Sequence, residues 1–392
     1  MHVIRTAVML AAITLLLHGF SSHAWARTVT DMRGVSVALP ADIQRVATIS
    51  DGFVEGVMTH LGVIDRVVAI GSWGMKRDYI YTIETISAET HTYRGWHTMK
   101  LLHPWLNELP CVVAPQGFAI NFETLAHAGP DVVIIRVNDC AVNDREVGKV
   151  TRTIETIEAM GIPLIVIFAP KGADISTIHE EMAVLGAVFG QREKAVALAD
   201  YLAGTENLIR ERTASIPDQE KTRVLYLGLN PDIRKKGGAG SVWGINTPES
   251  YIIENIANAK NAFTGQGTGI IVNFEQIYAL DPDAIVLPTS NGYHPPRVLY
   301  EAPYFANLSE LRAIKERRVY AMPWTPMNCA RRVEYPLDML IIAKAAYPER
   351  FADINVYGFA LEFYQKVYHV DAAMAKGLRS TQLLDWMAGS GF

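Results

Sequence analysis

The chain has 392 residues and a formal net charge of −5, a balance that argues against a nucleic-acid binder, which needs a basic surface. Hydrophobic residues make up 49% and charged residues 20%, as in an ordinary globular protein. The three cysteines, Cys111, Cys140 and Cys329, stand far apart with no C-x-x-C spacing, which argues against a structural zinc site.

At the start, Arg5 precedes an apolar run from Ala7 to Leu17, and Ala24-Trp25-Ala26 follows with small residues at the two cleavage-defining positions. A run of about 11 residues is too short to cross a hydrocarbon core of roughly 30 Å as a helix. Residues 1–26 are therefore expected to be a secretory signal peptide, with an uncleaved anchor as the alternative. No cysteine follows the run to serve as a lipid attachment site, so the expected compartment is the periplasm. There the odd number of thiols allows one disulfide, Cys111 with Cys140, or three buried thiols. No later stretch reaches 18 apolar residues, so no transmembrane helix is expected.

The mature start, TVTDMRGVSVALP, reads as two short strands turning at Asp31 to Gly34. RVATIS and a strand ending at Gly71 follow, separated by a helical pattern, and further apolar runs stand at VVII (132–135) and PLIVIF (163–168). Short, near-continuous apolar strands between amphipathic helices indicate parallel sheets covered on both faces, an α/β fold. From Ile175 to Ile216 the pattern is helical with no proline, read as two helices in series, one of them long. RVLYLGL (223–229), DAIVLP (283–288) and RRVYAMP (317–323) then restart the strand pattern. The expected organisation is an N-terminal α/β lobe over 27–172, a connecting helical segment over 173–216, and a C-terminal α/β lobe over 217–392 with a helical extension.

An internal repeat ties the two halves together. NFETLAHAGPDVVII begins at Asn121 and NFEQIYALDPDAIVL at Asn273, with Asn, Phe, Glu, Pro and Asp coinciding in an ungapped alignment. A helix, then Pro-Asp, then a strand, once per half, implies two related lobes.

With these blocks in this order, the chain resembles the periplasmic binding proteins of ABC importers for iron–siderophores, heme and cobalamin, whose two α/β lobes are joined by one long helix. The first hairpin, the two Asn-Phe-Glu blocks, VLGAVFGQREKAVALADYL and LRAIKERRVYAMP carry the resemblance. Two segments depart from it: residues 78–110 are longer than the family's usual connection, and an extension follows Tyr335. The resemblance implies a non-catalytic, monomeric binding protein with no intrinsic cofactor and small opening motions. It would deliver an iron chelate, or else heme or cobalamin, to a permease dimer in the inner membrane. It also implies that Glu123 and Glu275 dock on permease arginines, since a carboxylate–guanidinium pair is directional and two of them fix a body's tilt. Helix capping is the other reading of the Asn-x-Glu motif.

A ligand between the lobes would meet loops at the strand ends. Those loops carry Trp73, Met75, Tyr79, Trp96, Gln116 and Phe118 in the first half. In the second half they carry Trp243, Tyr293, His294, Arg297, Trp324, Arg331 and Arg332. Aromatic faces suit flat ligands and arginines offset negative charge, while Tyr293 and His294 are candidates for direct contact with iron. KKGGAGS lacks the spacing of a phosphate-binding loop. An exported two-lobed oxidoreductase or metallochaperone is the competing class, but cluster chemistry needs more cysteines than three scattered ones.

Overall fold

The computed structural model describes residues 25–114, 119–138, 142, 148–170, 175–289, 295–324 and 332–392. An antiparallel hairpin, β1 (Trp25–Thr30) and β2 (Ser36–Pro40), opens the first lobe. It turns at Gly34, whose φ of 78° suits glycine. The Asp31 carboxylate organises this turn, accepting from the Arg33 and Val166 amides at 2.9 and 3.1 Å.

The first lobe is built on β3 (Val46–Ile49), β4 (Val67–Ile70), β7 (Val132–Val137) and β8 (Leu164–Phe168), all parallel, in the order β4-β3-β7-β8. β3 and β7 are buried along their whole length because helices cover both faces, which is why they read as unbroken apolar runs. Helix α1 (Phe53–Leu61) follows β3, and α2 (Phe122–Ala128) leads into β7. Between β4 and α2 the chain makes a second antiparallel hairpin, β5 (Asp78–Glu84) and β6 (Thr90–Trp96), outside the main sheet.

Helices α3 (Ile178–Phe189) and α4 (Arg192–Thr213) connect the lobes. The 22 residues of α4 make a rod of about 33 Å at 1.5 Å per residue. The second sheet contains β9 (Arg223–Gly228), β11 (Lys260–Asn261), β13 (Ala284–Thr289) and β14 (Val319–Trp324) in parallel. The short pair β10 (Gly240–Val242) and β12 (Ile270–Val272) joins antiparallel beside the end of β9. Helix α5 (Phe274–Leu280) leads into β13.

Both lobes thus share one topology. In each, the first strand lies between the second and the third, and the repeated Asn-Phe-Glu helix, α2 or α5, feeds the third strand. The two copies belong to separate sheets.

The last three helices, α6 (Tyr335–Ala346), α7 (Val356–Tyr368) and α8 (Ala372–Thr381), follow β14 in the chain. In space α6 stays on the second sheet, beside β13 and β14, while α7 reaches α1 of the first lobe. The His60 ring at the end of α1 lies 2.8 Å from the Val367 carbonyl, and Val356, Phe363 and Tyr364 share one apolar cluster with Phe53, Val57 and Met58. The extension thus starts on the second lobe and crosses to the first, where the apolar face of α7 meets that of α1. No helix among the described residues is long and apolar enough to cross a membrane.

Candidate ligand cleft

At the carboxyl ends of the strands a cleft of about 400 Å³ opens between the lobes, with Arg77 and Tyr79 from the first half facing Asn230, Asp232, Lys235 and Trp324 from the second. That volume falls in the range of about 300–1,000 Å³ usual for small-molecule sites. The placement follows from topology, since the strand order reverses beside the first strand of each sheet and leaves a crevice there. Asn230 follows β9 directly and caps the helix Pro231–Lys235, its side-chain oxygen accepting from the Asp232 amide at 2.9 Å. That bond uses the oxygen and leaves the amide nitrogen as a donor.

Donors dominate this lining. The Arg77 guanidinium lies 4.7 Å over the Trp73 ring and meets no carboxylate among the described residues. Asp232, the acid of the cleft, is held by Lys235 at 2.8 Å, and that contact keeps its carboxyl below the usual range. Burial raises the Tyr79 phenol, so it stays protonated at neutral pH. Trp324 is only 2% exposed, and its buried indole N–H meets no acceptor among the described residues.

The structure sorts the residues expected at the site. Tyr79 and Trp324 line the cleft, and Trp73 supports Arg77 from beneath. Met75, 2% exposed, instead belongs to the core of the first lobe. Trp243, 8% exposed, packs edge-on against Tyr226 with ring centroids 5.1 Å apart. Both are corrections: each loop folds its apolar side chain inward, where burial gains more than contact with a hydrated cleft. Arg297 lies away from the cleft, 3.0 Å from the His91 ring and 3.4 Å from Glu301. Arg332 is buried and occupied, donating to the Thr98 hydroxyl, the Trp324 carbonyl and the Gln382 side chain at 3.3, 2.8 and 3.1 Å. The Trp96 side chain, Gln116, Phe118, Tyr293, His294 and Arg331 lie outside the described residues.

Sequence reasoning did not single out Arg77 or Asp232, and it met Lys235 only as part of KKGGAGS. The spacing Trp73-x-x-x-Arg77 was the available signal, since it sets a cation over an indole. Of the two arrangements open to the cysteines, Cys111 is a free thiol whose S–H donates to the Val113 carbonyl at 3.3 Å, and Cys140 lies outside the described residues.

On the outer surface, Glu123 and Glu275 are exposed in the first turns of α2 and α5. Capping falls to the asparagines. The Asn121 side chain accepts from the Thr124 amide at 2.9 Å, and that of Asn273 from the Gln276 amide at 2.8 Å. Neither carboxylate forms a hydrogen bond or ion pair among the described residues.

Two lobes of matching topology around a cleft have the build of a two-lobed solute-binding protein. The family profile described as periplasmic binding protein matches residues 88–325, more than half of the chain, and the chain belongs to that family. It is 24% identical over 238 residues to YvrC of Bacillus subtilis, an uncharacterized ABC transporter substrate-binding lipoprotein, covering 60% of this chain and 67% of that one. It is 23% identical over 273 residues to the molybdate-binding protein MolA of Haemophilus influenzae, covering 64% and 70%. A solved periplasmic solute binding protein from Veillonella parvula shares the fold with a TM-score of 0.70, at 23% identity, over 93% of this chain and 99% of that one.

Proposed function

We propose that this chain is the exported solute-binding component of an ABC importer and that it carries an anionic iron chelate, of the siderophore type, in the cleft between its lobes. The observation that carries the ligand reading is the donor-rich lining. Arg77 meets no carboxylate among the described residues, while Asp232 is paired with Lys235. Such a site favours a guest with several negatively charged oxygens, as catecholate or carboxylate chelators present. The volume favours a chelate over a bare tetra-oxo anion, which would leave most of the cleft filled with water.

In this reading the bound protein diffuses through the periplasm as a monomer and meets the permease dimer through Glu123 and Glu275, one acid per lobe. Their freedom from capping and from internal ion pairs supports an external partner.

The test is titration of the purified protein with three probes: ferric tris(catecholate), which carries three negative charges; neutral ferric tris(acetohydroxamate); and molybdate. Binding of the anionic ferric complex at least about tenfold tighter than the neutral one, a difference of about 1.4 kcal/mol, is the expected result. Arg77→Gln should narrow that gap. Preference for molybdate, or equal affinity for the two ferric complexes, would overturn the ligand assignment while leaving the family untouched.

A further inference from the structure

The hairpin β5–β6 is rooted in the first lobe and seated on the second. Its root is set by β4 on one side and, on the other, by the helix Thr98–Leu102, whose Met99 sits in the core of the first lobe. Along β5 the side chains alternate in exposure, as a strand with one covered face must. The covered face consists of Tyr81, 8% exposed, and Ile83, 4% exposed, and it lies in the apolar cluster of the second lobe with Leu225, Leu287 and Leu299.

Polar contacts secure the same seat. Arg234 donates to the Tyr81 hydroxyl at 2.7 Å. At the tip, the Ile86 amide donates to the Glu301 carbonyl at 2.8 Å, beside the pairing of His91 with Arg297. At the root, Gly95 lies against the Trp324 indole, and Tyr79 faces the cleft. The strap therefore bridges the two lobes beside α4 and beside the C-terminal helices, which run from the second sheet to α1.

We infer that the β5–β6 hairpin is a latch: it holds the lobes together in the absence of ligand, and the lobes separate, with exchange of cargo, only when it lifts from the second lobe. Parting the lobes as rigid bodies must expose Tyr81 and Ile83 to water, and each large apolar side chain so exposed costs about 1.5–3 kcal/mol. The Arg234–Tyr81 and Ile86–Glu301 hydrogen bonds must break as well. Local release of one hairpin exposes less surface than general unfolding, so it is the cheaper route. The latch itself stands on these contacts alone; its control of cargo exchange rests on the cleft being the ligand site.

The test uses the full chain with its native cysteines changed to serine and spin labels on Glu155→Cys and Ser309→Cys, exposed positions on opposite lobes. The parent should give a narrow label-to-label distance distribution without ligand. Ile83→Asp, which sets a charge in the apolar seat, should broaden it and raise the dissociation rate of ferric tris(catecholate) about tenfold, since such changes act mainly on release. A folded Ile83→Asp protein with the parent's distribution overturns the latch.

If that variant does not fold, Ile86→Cys paired with Glu301→Cys decides the matter. With nitroxides attached through thioether bonds after the 86–301 disulfide has closed, its oxidised form should keep the narrow distribution in mild urea while the reduced form broadens, and identical distributions overturn the proposal. Failure of the ferric probe to bind would remove the assigned cargo, whereas the distance measurements would still judge the latch.

Discussion

The guanidinium of Arg332 donates to the main-chain carbonyl of Trp324 at 2.8 Å, fastening the strand end that floors the cleft to the buried turn before α6. The same group reaches Thr98, beyond the latch hairpin, and Gln382, just after α8. One side chain therefore joins three distant parts of the chain. Arg332→Met is expected to lower the unfolding free energy by about 3 kcal/mol, since it strips donors from buried oxygens. Urea denaturation followed by circular dichroism measures this, and a loss below about 0.5 kcal/mol, the usual size of a neutral surface change, would contradict the role.

Acid in the same region has a defined pH signature. Asp338 in α6 is only part-buried by surface area, yet the surrounding protein desolvates it enough to push its carboxyl up to about 7, with Arg332 opposing and Glu334 reinforcing the rise. The phenols of Tyr226 and Tyr364 also face it. An unfolded aspartate titrates near about 3.9. Between these values the folded protein keeps a proton that the unfolded chain has released, so this group makes stability fall as pH rises from about 4 to about 7. His97 works in the opposite sense. Burial, then Arg332, holds its ring well below the usual value, so it lowers stability as pH drops through about 6.5. Asp338→Asn should remove the fall in stability between about pH 4 and 7 and add about 2 kcal/mol at pH 7.5 relative to pH 4.5. Urea midpoints at the two pH values check this; an unchanged difference between them counts against it.

Gly95 offers a way to disturb the cleft floor without touching its polar groups. A β-carbon built there would stand 2.8 Å from the Trp324 ring and 3.0 Å from Leu383, so Gly95→Ala must push the indole. Overpacking of this kind costs about 1–3 kcal/mol. Weaker binding of ferric tris(catecholate) should accompany it, read from quenching of tryptophan fluorescence. Full retention of affinity would place the ligand away from Trp324.

Reversing both exposed acids, as Glu123→Lys with Glu275→Lys, should reduce uptake by at least about tenfold through like-charge repulsion at the permease. Thermal stability and the affinity for ferric tris(catecholate) should stay at the parent's level, because asparagine, not glutamate, caps each helix. Uptake into cells lacking the native gene gives the first quantity and titration the second. A parallel fall in ligand affinity would rule out a docking role.

Much of the fold was legible in the chain. Runs such as VVIIRV and LIVIF are buried on both faces, and only a covered parallel sheet tolerates that composition. The Asn-Phe-Glu repeat marks equivalent places in the two sheets, since each copy feeds the parallel strand next to the first strand of its lobe. The site was less legible. Trp243 and Trp324 both end or follow strands, yet one packs against Tyr226 and the other floors the cleft. Nothing within a few residues of either distinguishes them, because each outcome depends on the strand and hairpin opposite.

Sequence alone determined what is governed by near neighbours: strand and helix periodicity, the asparagine caps, the glycine turn at Gly34 and the twofold plan of the chain. Tertiary structure decided what requires residues far apart to meet. It sent α7 back onto α1, laid the β5–β6 hairpin across to the second lobe, and set Arg77 opposite Asn230. The physical reason is that side-chain burial and hydrogen bonding are settled by the partner surface. For Arg332 and Thr98 that partner lies 234 residues away along the chain.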